Sequence, residues 1–259
     1  MENRTIISEI KIFFIRIAVF TQFLIRFFKE VIKPPYEFTE LLKQCYFVGN
    51  KSLSLVGITG FIIGLVLTIQ SRPTLVSFGA ESWLPAMVGV SIVREIVPIL
   101  TALICAGKVG SGISAELASM RVTEQIDAME VSGTNPFNFL IVTRTLATTI
   151  MIPLLVIFAD SLALIGSYIG ITLNDDISLQ LFFSQVFHRL AFGDIFPALI
   201  KTYFFGFAIG LVGCYKGYNC RNGTEGVGRS ANEAVVIASL LVFILDMIAV
   251  LITNMLHLN

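Results

Sequence analysis

Residues 234–251 read AVVIASLLVFILDMIAVL, eighteen positions with a single charge, Asp246, among aliphatic and aromatic side chains. The run lacks the two-residue alternation of a half-buried strand. It is close to the roughly 20 residues a helix needs to cross bilayer hydrocarbon. In lipid a helix satisfies its own backbone hydrogen bonds, so the run reads as a spanning helix. Working outward, four more runs of this kind give predicted spans at about 47–70, 84–106, 145–171, 195–215 and 234–256. The predicted fold class is an all-α polytopic membrane protein.

Composition points the same way. Of 259 residues, 55% are hydrophobic and 14% charged, with a mean hydropathy of +0.83, against about 25% charged in a soluble domain. The formal net charge is zero, and without a clustered basic face a nucleic-acid partner is excluded. Cys45, Cys105, Cys214 and Cys220 form no C-x-x-C pair, and His188 and His257 stand at no metal-ligand spacing. The thiols read as free, and neither a metal nor another cofactor is expected.

Ahead of the first span, Ile6, Ile10, Phe13, Ile17, Phe20, Leu24, Phe27 and Val31 recur at alternating spacings of four and three, on one helical stripe. Arg4, Glu9, Lys11, Arg16, Arg26, Lys29 and Glu30 interrupt it too often for a spanning segment. It reads as a helix lying in the membrane interface, although the same spacing would serve a coiled-coil seam. Lys33-Pro34-Pro35 ends it. The interruptions also leave no signal-peptide core, so the N-terminus is expected to be retained. The expected division is 1–45, an interfacial helix with a linker, and 46–259, the transmembrane domain.

Five spans place the termini on opposite sides. Fourteen Lys and Arg residues lie in 1–51, 107–144 and 214–233, against Arg72 and Arg189 in the other two connections. Basic residues favour the cytoplasmic side, which sets the N-terminus in the cytoplasm and the C-terminus outside. Gly60 with Gly64, Gly166 with Gly170 and Gly206 with Gly210 repeat the small-xxx-small pattern that lets helices approach closely. They predict a compact bundle and leave a dimer open.

Charges within a span cost about 2.5–3.5 kcal/mol each on insertion scales, so each one requires a reason. Five fall there: Arg94, Glu95, Asp160, Lys201 and Asp246. At about 1.5 Å per residue, Arg94 and Glu95 lie roughly 15 Å from the outer side and Lys201 about 9 Å. Such a group can pair internally, or line a cavity that receives a lipid phosphate. Pro98 removes one helical hydrogen bond beside Glu95 and can bend the helix there. Asp160 and Asp246 are expected to hydrogen-bond between helices.

The connection 107–144 is the longest internal one. Gly107-Lys108-Val109-Gly110-Ser111-Gly112 resembles a phosphate-binding loop, but position 102 is alanine and a helix precedes it, so nucleotide binding is rejected. Thr123 suits an N-cap for an acidic helix, Glu124-Gln125-Ile126-Asp127-Ala128-Met129-Glu130, ended by Gly133 and Asn135-Pro136. The helix can be a solvated face or a contact surface. The run from Gly223 to Gly228 is a weak dinucleotide signal without a strand before it, and Ser230 with Glu233 has the spacing of a capping box for the last helix. No H-E-x-x-H, G-x-S-x-G or hydrolase-type Ser/Lys pair is present, so an enzyme is not expected and no residue is assigned a catalytic role.

Arg94-Glu95-Ile96-Val97-Pro98, Leu100-Thr101-Ala102-Leu103, Ala106-Gly107-Lys108-Val109-Gly110-Ser111, Ala115-Glu116-Leu117, Met120 to Met129 and Gly223 to Arg229 together resemble the MlaE (YrbE) family of ABC-transporter permeases, over about residues 46–255. Two departures are Val97, where many members have glycine, and Val142-Thr143-Arg144, where many have proline before the arginine. The resemblance implies a permease homodimer, each copy with an interfacial N-terminal helix and five spans. It further implies a cytoplasmic ABC ATPase subunit, which hydrolyses the ATP, and an extracytoplasmic partner with MCE domains. The cargo implied is phospholipid or a related lipid, moved between membranes. On this resemblance Glu124, Ile126, Asp127, Met129 and Glu130 belong to the helix that couples to the ATPase, and Arg94, Glu95 and Lys201 to the lipid cavity. The host membrane is a bacterial inner membrane or, alternatively, a plastid inner envelope. A rival from another class is an ion-coupled secondary transporter using Glu95, Asp160 and Asp246, against which stands the lack of a clear internal repeat.

Overall fold

A computed structural model describes residues 2–34, 36–173, 176–220 and 223–255, with the side chains of 2–13, 16 and 192 outside the description. The side chains of the early stripe residues Ile6, Ile10 and Phe13 therefore fall outside it, as do Arg221 and His257 altogether. No strand occurs among the described residues. Five helices are long and apolar enough to span: α2 (Phe38–Ser77), α3 (Glu81–Val122), α5 (Phe137–Thr172), α7 (Phe192–Tyr218) and α8 (Gly223–Met255). Around them lie α1 (Glu2–Val31), α4 (Gln125–Val131) and α6 (Leu179–Arg189). The protein is an all-α polytopic membrane protein, and each predicted span falls on one of these longer helices, except that residue 256 lies outside the described residues.

The largest extension corrects the expected connection from residue 107. The helix of the second span continues through the glycines to Val122, because Val109, Ile113 and Leu117 keep one face buried. Lys108 Nζ donates to the Lys51 carbonyl, tying α3 to α2. Two π-helical turns, Ile92–Ile96 and Ala106–Gly110, interrupt the helix without breaking it. Each inserts a residue and resets the faces beyond it, and the first carries Arg94 and Glu95 just before Pro98.

All three glycine patterns are used inside the chain. A Cβ added at Gly64 on α2 would stand 1.8 Å from the Ala163 carbonyl oxygen, and one at Gly166 on α5 would stand 2.2 Å from that of Phe61. Beside this contact Thr68 donates to Ser167 across the interface at 2.8 Å. Gly206 and Gly210 bring α7 equally close to Thr148 and Thr145, nearer the start of α5. The third span is therefore the centre of the bundle. Along α1, Phe23 meets Phe137 at 5.1 Å and Tyr215 at 5.3 Å, Phe27 meets Phe207 at 5.5 Å, and Arg26 lies 4.3 Å over Phe137. These contacts hold the last turns of α1 on the bundle.

Two helix starts differ from expectation. Thr123 hydrogen-bonds back to the Ser119 carbonyl at 2.9 Å, and the residue ahead of α4 is Glu124, in the left-handed region at φ 58°. The sharp reversal needed between α3 and α4 is taken up there, at a position where a non-glycine residue is strained. The α4 end is as expected: Gly133, at φ 83°, donates to Glu130 and Thr134 donates to Met129, closing the last turn. Helix α8 begins at Gly223, so Ser230 and Glu233 lie within it rather than starting it. Glu233 instead pairs with Lys216 at 2.8 Å and Arg229 at 3.0 Å.

Candidate functional site: a charged cleft between three spans

Helices α3, α7 and α8 converge on Lys201, which is 5% exposed. Its ammonium lies 2.5 Å from Glu95 Oε2 and 2.9 Å from Asp246 Oδ1. A buried lysine is costly unless paired, and two carboxylates meet that need while sharing its three donors. Arg94, next to Glu95, turns to a different partner, Asp194 Oδ1, at 3.5 Å. Of the two sequence alternatives, internal pairing is seen for Glu95 and Lys201, while Arg94 finds an acid that the sequence reading did not single out. Asp194 lies in the first turn of α7 and also accepts from the Ala191 backbone N–H at 3.1 Å. An acid at that position is a readable helix-start signal.

Arg94, Glu95, Asp194, Pro197, Lys201 and Thr253 line a cleft of about 20 Å³. That is room for about one water, too little for a lipid headgroup in this cleft. The adjoining side of α8 is open and apolar, with Val236, Leu240, Phe243, Met247 and Leu251 exposed; 11% of its most apolar window is buried. Of the two aspartates expected to bond between helices, Asp246 does so through Lys201. Asp160 Oδ1 is buried and has no hydrogen-bond partner among the described residues.

The acidic helix lies at the far end of α3. Ile126 is fully buried and fastens α4 to the bundle, and Met129 is packed against the same core. The apolar side chain α4 presents outward is Val131, 90% exposed, among Glu124, Asp127 and Glu130. Asp127 pairs with Arg121 at 2.5 Å, and Arg121 lies over the Tyr218 ring at 5.8 Å, linking α4 to the ends of α3 and α7. Nearby is a pair that sequence reasoning missed: Arg144, 2% exposed, donates to Glu116 at 2.8 Å and to the Leu140 carbonyl at 3.1 Å. A lone arginine at the start of a predicted span was its only signal. Helix α6 was missed as well, although Ser178 with Leu179, Phe182 and Val186 is a capped amphipathic pattern.

Five apolar helices around buried ion pairs define an integral membrane protein. The sequence profile of the family described as Permease MlaE matches residues 41–252, and the chain belongs to that family. The probable ABC transporter permease proteins of Rickettsia felis and Rickettsia prowazekii are 38% and 37% identical to it, over 83% and 88% of both chains. One from Synechocystis is 34% identical over 78% of this chain and 77% of its own. The protein is therefore an ABC transporter permease of the MlaE family.

Proposed function

We propose that the chain is the non-catalytic membrane subunit of a transporter that moves phospholipids or related lipids between membranes. The carrying observation is the juxtaposition of paired charges, Arg94, Glu95, Lys201 and Asp246, with the exposed apolar side of α8. An amphiphile needs both: donors and acceptors for its headgroup and an apolar wall for its chains. Because the cleft within one chain is small, the reading places a second copy against the open side of α8, enlarging the cavity between two permeases. The N-terminal segment 1–45, in this reading, lies in the membrane interface and 46–259 forms the permease domain.

Work enters from a cytoplasmic ABC ATPase docked on α4. Its contacts are the acids Glu124, Asp127 and Glu130 and the apolar Val131, while Ile126 and Met129 keep the helix rigidly seated. Helix α3 runs unbroken from the charged cleft to α4, about 40 Å from Glu95 to Val122 at 1.5 Å per residue. A displacement of α4 would therefore reach the ion pairs through one helix. An MCE-domain partner on the outer side would exchange lipid with the cavity, with the N-terminus cytoplasmic and the membrane a bacterial inner membrane or a plastid inner envelope. Taking work from an ATPase removes the need for ion coupling through Glu95, Asp160 and Asp246. The test is mass spectrometry of lipid co-purifying with wild type, Arg94→Ala and Lys201→Ala, with transport measured on the same proteins. The variants should lose lipid and transport while still assembling with the ATPase; normal lipid and normal transport in both would overturn the cavity.

A further inference from the structure

At the end of the bundle opposite α4, helix α6 lies across the start of α3. Val186 seats on Gly89, where an added Cβ would stand 2.7 Å from Val186 Cγ1. Phe182, fully buried, meets the Tyr168 ring at 5.6 Å. This seating leaves a second cleft, of about 250 Å³, lined chiefly by Ser82, Trp83, Ser184, Gln185, His188 and Arg189. At ~30 Å³ per water it has room for about eight waters, an order of magnitude more than the cleft at Lys201.

Its chemistry is mostly that of donors. The Arg189 guanidinium lies 4.3 Å over the Trp83 ring, a cation–π contact that holds the group at the cleft, and the residue is exposed, so its N–H donors can meet an oxyanion. Among the described residues no carboxylate pairs with Arg189; the nearby Glu81 is taken by Arg72 at 2.7 Å. Two serine hydroxyls and the His188 imidazole add donors. Gln185 borders the cleft with its Oε1 buried and without a donor among the described residues. Trp83, Met87 and Phe187, all more than half exposed, supply apolar surface beside the polar cleft.

We infer that this cleft binds the phosphate ester headgroup of a phospholipid at the outer edge of the bundle. Arg189, His188, Ser82 and Ser184 hold the phosphate oxygens, and the chains lie along Trp83, Met87 and Phe187. The site is a holding station on the side where cargo is exchanged, and it rests on the lipid reading above. A free phosphate would satisfy the same donors but make no use of the apolar border.

Trp83 is the sole tryptophan in the chain, so its fluorescence reports this cleft. The full-length permease in detergent is titrated with dihexanoyl phosphatidylglycerol below its micelle concentration, and separately with inorganic phosphate and with dihexanoylglycerol. A saturable response to the phospholipid is expected, weakened about tenfold or more in Arg189→Gln and partly kept in Arg189→Lys. His188→Gln, at an exposed position, should weaken it less and gives a second arm if Arg189→Gln aggregates. An equal response to inorganic phosphate would make this a free-anion site and overturn the headgroup assignment. No response, an equal response to dihexanoylglycerol, or unchanged binding in both Arg189→Gln and His188→Gln would also overturn it. Lipid mass spectrometry on the same preparations separates the two readings. A wild type that carries phospholipid without a Trp83 response loses this cleft alone, whereas a wild type without lipid removes the transport reading.

Discussion

The Lys201 ammonium lies 2.5 Å from the Glu95 carboxylate, 106 positions earlier in the chain, and the same ammonium holds Asp246 at 2.9 Å. Three spans are thereby joined at one buried cation. Removing the cation strands two carboxylates, whereas removing one carboxylate leaves a pair. Breaking a buried pair costs about 3–5 kcal/mol, so Lys201→Met should lower the midpoint of thermal unfolding in detergent far more than Asp246→Asn. Equal midpoints for the two would show that Lys201 is not the hub of the contact.

The Arg144 and Glu116 pair should be lopsided in the same way. Arg144 is 2% exposed while the Glu116 side chain is 47% exposed. Glu116→Gln leaves a neutral acceptor in place and should cost about 1 kcal/mol or less. Arg144→Ala opens a cavity and leaves the Leu140 carbonyl without its side-chain donor, at about 3 kcal/mol or more. Unfolding midpoints compared across the two variants decide this, and a Glu116→Gln loss as large as that of Arg144→Ala would contradict it.

On α4, burial separates folding from docking. Ile126→Ala should cost about 2–5 kcal/mol of stability, as core truncations do, and lower the yield of monodisperse protein. Val131→Asp should leave folding intact and sharply reduce co-purification of the ATPase, since the exposed side chain has little to lose within the chain. Retention of the ATPase by Val131→Asp at both low and high salt would remove this surface from the docking site.

Glycines in contact and glycines in open space should respond in opposite ways. Gly64→Val would drive its side chain into the Ala163 backbone, whereas nothing lies within 4 Å of a Cβ at Gly112. Gly64→Val is expected to abolish the folded peak in size-exclusion chromatography. Gly112→Ala should be neutral or stabilising by up to about 1 kcal/mol. A folded Gly64→Val protein would mean that α2 and α5 are not packed as described.

The orientation can be read directly. In a background without cysteines, Ser178→Cys at the start of α6 should react with an impermeant thiol reagent in intact cells. Thr224→Cys, in the first turn of α8, should react after permeabilisation only. The reverse pattern would invert the protein in its membrane.

Much of this was legible in the sequence because the signals are local. A run such as 234–251 announces a spanning helix from hydropathy alone, and the turn at Gly133 from the conformational freedom of one residue. The small-xxx-small glycines announced close packing, but not that α5 would take both neighbours. The extension of α3 past Gly107 was hidden because glycines read as breakers, and the buried face of Ile113 and Leu117 overrides that propensity. Asp194, Arg144 and the cleft at Trp83 left weak signals or none, since each depends on a partner distant in the chain.

The sequence by itself determined that this protein is a helical membrane bundle with costly charges at fixed depths, because hydropathy and helical period act over a few turns and bilayer thickness fixes the span. The tertiary structure alone decided that Lys201 takes Glu95 and Asp246 while Arg94 takes Asp194, and that Ile126 is buried while Val131 faces out. Those outcomes follow from how α3, α4, α7 and α8 are rotated against one another. That rotation is set by the simultaneous packing of all the helices, which no local stretch of sequence contains.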